Sequence, residues 1–344
     1  MAMDMKAPDG LVNAYLLDGK GGGKPLDWAG VRAWKPGDGL FWIHLCWPEK
    51  QAADWVRHES GLDPIIADAL LEEDTRPRCV VHENGMMLIL RGVNLTPGAE
   101  PSDMVSIRAW IDSTRVITMY RIRLIAVQDI RDSLERGKGP RNSGDFVVQL
   151  AQRLTARVLP VEDDIGEALD DLEDALVEDK LEHIGDRLSP LRRETIALRR
   201  HLAPQREALL LLYSDGDDWL DAKQRARIRE VADRVFRIIE ELDSMRERAA
   251  IIQDERRTRI SESMDKAIYN LSIIATIILP LTFVTGLFGM NVGGIPGEET
   301  GWAFWAVTGL LVLAGAATVL IFRRIRWLQA GRDSASDNDG AMGA

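Results

Sequence analysis

The sequence predicts an α/β cytoplasmic domain, a long stalk helix and two transmembrane α-helices. Three observations carry that expectation. Two segments toward the C-terminal end, Ala267–Gly297 and Thr300–Phe322, contain no charged residue. A 63-residue stretch, Asp217–Leu279, contains neither Gly nor Pro. Short apolar or alternating runs crowd residues 1–140 and stop near Ser143. Composition narrows the function. Among 344 residues, 43 Lys and Arg against 54 Asp and Glu leave a formal charge of −11. Nucleic acid is bound through clustered positive charge, so it is not expected as a partner, whereas cations are. Two cysteines build no disulfide framework. The opening MAMDMKAPDG has no apolar run, so no cleavable signal peptide is expected.

Residues 1–140 read as a mixed sheet with helices packed on it. Strands are expected at 11–18, 40–47, 78–83, 86–93, 104–112 and 114–120, where Gly, Pro and Asn punctuate many of the ends. Helices are expected around 49–59, 63–73 and 123–136. GKGGGKP (19–25) fails as a phosphate loop, because Asp18 stands where the first Gly belongs and Pro25 where Ser or Thr would hold magnesium. It reads as a turn. Residues 141–216 form a helical region, interrupted near Gly185, Pro190 and Pro204. Glu162–Asp179 holds ten acidic residues and no basic one, and a solvated acidic helix face is the default reading.

Residues 217–288 read as one stalk helix that continues into the first span. Sixty-three unbroken residues would extend about 95 Å at about 1.5 Å each. Ile228, Val231, Val235, Ile238, Leu242, Met245, Ala249 and Ile252 fall at alternating three- and four-residue steps, a heptad seam that requires a partner helix. A second 4-3 series comprises Asp254, Thr258, Ser261, Asp265, Ile268, Ser272, Ala275, Leu279, Thr282 and Gly286. It begins acidic and hydroxylic and then becomes small, suiting either helix packing or a wet surface. Two helices enclose no lumen, so a channel lined by this stripe requires several copies around one axis.

Ala267–Phe288 and Trp302–Phe322 are each long enough to cross the roughly 30 Å hydrocarbon core. Arg256, Arg257, Arg259 and Lys266 precede the first span, and Arg323, Arg324 and Arg326 follow the second. The loop 289–301 between them has no Lys or Arg. The positive-inside rule therefore puts both termini in the cytoplasm and the loop outside. Trp302, Trp305 and Trp327 suit the interfaces. Residues 323–344 form a basic end, with a disordered tail from 333.

Gly289-Met290-Asn291, in the context TIILPLTFVTGLFGMN and followed by a second span with a basic end, resembles the CorA superfamily of divalent metal ion transporters. YLLDGKGGGKPLDW, FWIHLCW, EEDTRPR and HLAPQR are similar to its zinc-transporter (ZntB-type) branch. The resemblance implies a CorA-like homopentameric funnel in the cell inner membrane, with the 289–301 loop periplasmic. It implies Gly289, Met290 and Asn291 as a selectivity motif at the outer mouth. It also implies Asp254, Thr258, Ser261, Asp265, Ile268, Leu279 and Thr282 as pore-lining, and Ser272 falls on the same stripe. Five Asn291 carbonyls would offer an uncharged oxygen ring that holds a divalent ion through its waters. Asn291 also suits a left-handed helix cap. Glu298 and Glu299 would attract cations to the mouth or simply be solvated.

The transported ion is expected to be Zn2+, with Mg2+ or a broader set of divalent cations as the alternative. Zinc favours Cys and His, and the stripe has neither, so the zinc expectation rests on the branch resemblance. His44 and Cys46 share a strand face but make only half a site, and packed burial is the simpler reading. No site for a metal held by the protein is assigned and no cofactor is expected. With no nucleophile–base pair and no nucleotide site, an enzyme is not expected, and ion gradients or membrane potential would drive transport. A membrane-anchored sensor or scaffold would account for the stalk and anchor but not for the stripe and triplet.

Overall fold

The computed structural model describes residues 9–73, 75–83, 85–215, 219–290 and 301–340. The expectations for Asn291, Glu298 and Glu299 lie outside the described residues. The chain forms two compact units, Met1–Asp254 and Glu255–Ala344, and one helix contributes to both.

The first unit is built on a seven-stranded sheet. Its strands are β1 (Leu11–Leu17), β2 (Gly23–Pro25), β3 (Phe41–Cys46), β4 (Arg78–His82), β5 (Gly85–Gly92), β6 (Val105–Asp112) and β7 (Arg115–Tyr120). The spatial order is β2-β1-β3-β7-β6-β5-β4. Among the described residues only β3 and β7 pair in parallel, with Ile43 opposite Ile117, so the sheet is mixed as the sequence predicts. The central strands are apolar on both faces. Met86, Leu88 and Leu90 of β5 enter one core and Met87 and Ile89 the other, the two-residue period of a strand covered on both sides. Helices α1 (Trp28–Ala33), α2 (Lys50–His58) and α3 (Pro64–Leu71) contribute to one core. Helices α4 (Ile125–Glu135), α5 (Ser143–Ala156), α6 (Leu159–Val177), α7 (Ile184–Asp215) and α8 (Ala222–Phe288) contribute to the other.

β2 and α1 are absent from the sequence expectations. The stretch read as a turn holds β2 at its end, where Pro25 pairs with Tyr15 on the sheet edge, a position that tolerates a missing donor. Asp18 Oδ1 accepts the N–H groups of Lys20 at 2.7 Å and Gly22 at 2.9 Å. The loop's amides thus face their own carboxylate, which explains physically why no phosphate belongs there. Asp27 caps α1 by accepting the Gly30 N–H at 2.8 Å.

Helices α6, α7 and α8 form a three-helix bundle. Arg199 bonds Asp243 at 2.6 Å, and Arg192 of α7 meets Gln253 further along α8, so those two helices run antiparallel. α6 runs parallel to α8. A Cβ on Gly166 would sit 3.4 Å from Met245, and Arg248 then reaches Asp170 and, at 2.9 Å, Glu173. All eight seam residues of α8 are buried within this core, which identifies their partner helices as the chain's own. The acidic run behaves as its default reading expects. Val161, Ile165, Leu169, Leu172 and Leu176 are buried, and Asp170 and Asp171 are exposed partners of Arg248 and Arg187.

Two expectations need correction. α7 is continuous from Ile184 to Asp215, with Pro190 and Pro204 inside it. An internal Pro costs about 3 kcal/mol, and burial of Leu188, Leu198, Leu202, Leu209 and Leu212 on either side of the prolines offsets that cost. The second concerns α9 (Ala303–Gly340), whose backbone is helical through most of the tail expected to be disordered from 333. No Pro follows Trp302, and extending an established helix costs far less than nucleating one.

Candidate functional site

Among the described residues two helices are apolar enough to cross a membrane, α8 through its apolar part and α9 through Phe304–Ile321, each with a mean hydropathy of 2.2, and both apolar stretches lie in the second unit. Hydropathy does not separate the faces of such helices, but burial does. On α8 the partly covered positions are Ile273, Ile277, Leu281 and Val284, and on α9 they are Val307, Thr308, Leu311, Gly315 and Thr318. Ile273, Ile277, Leu281 and Val284 fall at three- and four-residue steps, as do Val307, Leu311, Gly315 and Thr318 with Thr308 beside them, so each set is one helix face. A Cβ on Gly315 would lie 3.9 Å from Leu281, so these faces pack on each other. The sequence reading missed this packing face. Gly315 was its one visible signal, since small residues let helices approach closely.

The polar stripe lies on the other side. At about 100° per residue, Asp265, Ile268, Ser272, Ala275, Leu279, Thr282 and Gly286 centre about 180° from the packing face. Every one of them is exposed, Ile268 at 58% and Leu279 at 75%. Thr258 and Ser261 are exposed as well, as is Asp254, the last residue of the first unit. Within the apolar part of α8 the hydroxyls divide in the same way. Thr276 and Thr285, off the stripe, donate to the carbonyls of Ser272 at 2.7 Å and Leu281 at 3.0 Å. Such back-bonding is how a lipid-embedded helix satisfies its hydroxyls. Ser272 and Thr282, on the stripe, make no side-chain hydrogen bond among the described residues, which leaves their oxygens for water or an ion. At the end of α8 the Gly289 N–H closes the last turn on Thr285 at 2.9 Å, and Met290 is exposed. Trp302, Phe304 and Trp305 are exposed at the start of α9, with Phe304 edge-on to Trp305 at 5.4 Å.

The remaining candidates are structural. His44 is buried with Nδ1 2.9 Å from Thr118 Oγ1, and its ring stacks on Tyr120 at 4.8 Å. Burial pushes its pKa down to about 3, partly opposed by its bond to Thr118, so the imidazole is neutral. Cys46 is half-buried. Burial first, and Asp215 second, push the Cys79 thiol up to about 12, so no thiolate ligand is available there. No three His, Cys, Asp or Glu side chains converge as a metal site among the described residues.

Comparison with known proteins identifies the family. A family model described as "CorA-like Mg2+ transporter protein" matches residues 37–324. The chain belongs to this family. The divalent cation transporter CmaX of Pseudomonas aeruginosa is 40% identical over 93% of the chain and 97% of its own length. The zinc transport protein ZntB of Pectobacterium carotovorum is 34% identical over 93% and 96%. Among solved structures, full-length CmaX matches with a TM-score of 0.80 at 38% identity, covering 93% of this chain and 98% of that one. The CorA magnesium transporter of Methanocaldococcus jannaschii matches with a TM-score of 0.78 at 19% identity, over 91% and 98%, and so shares the fold. The chain is a membrane-embedded divalent cation transporter of the CorA family, and not an enzyme. The zinc branch expected from the short sequence pieces is represented among these relatives beside a relative named for divalent cations in general.

Proposed function

We propose that the protein carries Zn2+ into the cell through a central pore formed by five copies of the chain. Each copy contributes the stripe Asp254, Thr258, Ser261, Asp265, Ile268, Ser272, Leu279 and Thr282. Carboxylates and hydroxyls would present oxygen to a hydrated ion, and Ile268 and Leu279 would form dewetting constrictions. Gly289, Met290 and Asn291 form the outer mouth, where an Asn carbonyl ring holds the ion through its waters, and Glu298 and Glu299 concentrate cations before it. Both termini lie on the cytoplasmic side of the inner membrane, as the basic residues flanking each span favour. A proton gradient or the membrane potential drives the ion. The observation that supports this reading is the exposure of the stripe from Asp265 to Thr282 on the side of α8 away from α9.

Magnesium, or divalent cations broadly, is the second reading. It is favoured by a stripe that offers only oxygen donors and by the description of the matching family. Flux of zinc and of magnesium into liposomes carrying the full chain, with and without an imposed proton gradient, distinguishes the two. Zinc flux that responds to the gradient is expected. Magnesium flux alone would keep the pore and overturn the zinc assignment. No flux of either ion from an assembled oligomer would overturn the pore.

A further inference from the structure

Two Gly-Lys-Gly segments, Gly19-Lys20-Gly21 after β1 and Gly137-Lys138-Gly139 after α4, pack against each other. The Gly139 N–H donates to Gly21 O at 2.7 Å. Gly21 has a φ of +108°, and a Cβ there would lie 2.7 Å from Gly137 O, so only glycine allows the approach. Asp18 holds amides of the first segment's loop, so the backbone there cradles no anion. The contact contributes its lysines instead. Lys20 and Lys138 line one cavity of about 590 Å³, within the size range of small-ligand sites.

Three further cations line the same cavity: Arg141 just before α5, and Lys223 and Arg227 in the first turns of α8. All five are exposed, and none forms an ion pair among the described residues. Two carboxylates also line the cavity, and amides occupy both. Asp145 accepts from Gln224 Nε2 at 3.1 Å and from the Arg141 N–H at 3.3 Å. Asp221 accepts the Gln224 N–H at 2.7 Å. With Asp18 beside Lys20 counted as well, five cations stand against three carboxylates, in a chain of formal charge −11. A lone exposed Lys or Arg is simply solvated. Here segments more than eighty positions apart bring five around one concavity, where like charges repel and an anion would relieve them.

The wall between these cations is fixed in place. Gln224 is 3% exposed, its Nε2 also donates to Asn142 Oδ1 at 2.8 Å, and its Oε1 accepts the Asp221 N–H at 3.0 Å. Asn142 in turn caps α5 by accepting the Asp145 N–H at 2.8 Å. The starts of α5 and α8 are thereby tied together, and a Cβ on Gly144 would overlap Gln224 Oε1. We propose that this cavity binds a small anion carrying two or more linked phosphoryl groups, met by Lys20, Lys138, Arg141, Lys223 and Arg227. Linked phosphoryl groups bring several charges and acceptor oxygens, which ammonium and guanidinium donors match. A single orthophosphate is too small to meet cations from all three segments at once. The occupant would sit at the start of α8, the helix that continues into the first span.

The test is calorimetric titration of tripolyphosphate into the full chain in detergent, with divalent cations removed and chloride at matched ionic strength as the reference. Two variants alter the cavity, K138Q/R227Q and R141Q/K223Q, and K35Q/K50Q makes the same charge change outside it. All six side chains are exposed, so the fold is expected to hold, and melting temperatures check this. Saturable tripolyphosphate binding, weakened by about tenfold or more in either cavity variant and unchanged in K35Q/K50Q, supports the site. Binding tighter than that of orthophosphate supports the linked groups. Equal affinity in the cavity variants, an equal loss in all three, or no saturable binding would overturn the proposal. So would a response to phosphatidylglycerol doped into the micelles with none to tripolyphosphate.

Discussion

At the scale of single residues, Glu162 shows how burial gives one carboxyl in an acidic run a behaviour of its own. It sits on α6 against α8, one turn before the point where Gly166 meets Met245. Burial pushes its pKa up to about 7, and the neighbouring charges of Glu241 on α8 and Asp163 push the same way. The folded state therefore holds a proton that the unfolded chain releases at a lower pH. The associated stability is fully present below the ordinary glutamate range of about 4.3 and is lost as pH rises through about 7. Glu162→Gln removes the titration. Melting temperatures of wild type and variant measured from pH 5 to pH 8 should diverge, with the variant gaining relative stability toward pH 8. A constant difference across that range would mean that Glu162 does not titrate between the two helices. Nothing in the sequence marks Glu162 among the ten acidic residues of its run, because the shift comes from packing against a helix about eighty positions away.

At the scale of elements, legibility followed periodicity. The α8 seam was readable because a 3.5-residue repeat of apolar side chains has few other uses, and each of its eight members is buried. The six longer strands were readable from their alternating or apolar runs, whereas β2 has three residues and α1 six, too few to show a period. The continuity of α7 was not readable. Proline is a local signal, and the leucines that override it act through contacts with α6 and α8 that the sequence does not display. The stripe facing away from α9 was readable as a series, but the faces could be distinguished only once Leu281 was seen against Gly315. The two series on α8 predict opposite results for similar truncations. Leu242 is fully buried, so Leu242→Ala should cost about 2–5 kcal/mol and lower the melting temperature sharply. Leu279 is 75% exposed, so Leu279→Ser should leave the melting temperature almost unchanged while raising ion flux through a wetter constriction. Thermal melts paired with liposome flux on both variants check this. A large loss of stability in the Leu279 variant would mean that its face is covered by packing and lines no water.

At the scale of the whole molecule, a chain of formal charge −11 offers a cation two kinds of attraction, its diffuse field and its local carboxylates. In the proposed pore the two are separable. Asn291 is uncharged, so its oxygens act by coordination at short range. Asn291→Ala should abolish transport while the oligomer, followed by light scattering in detergent, still assembles. Normal zinc flux in that variant would exclude the outer ring. Asp265 acts differently. It is exposed one residue before Lys266 and the start of the uncharged segment, and a ring of copies would place several carboxylates around one axis. Their attraction reaches ions through water and is screened by salt, with a Debye length of about 30 Å at about 0.01 M and about 3 Å at about 1 M. Asp265→Asn keeps the shape and a carbonyl oxygen but removes the charge. Its flux should therefore fall several-fold below wild type at low ionic strength, and the two should converge as salt rises. A deficit that is independent of salt would assign Asp265 to direct coordination, and no deficit at any salt would place its carboxylate outside the ion's path.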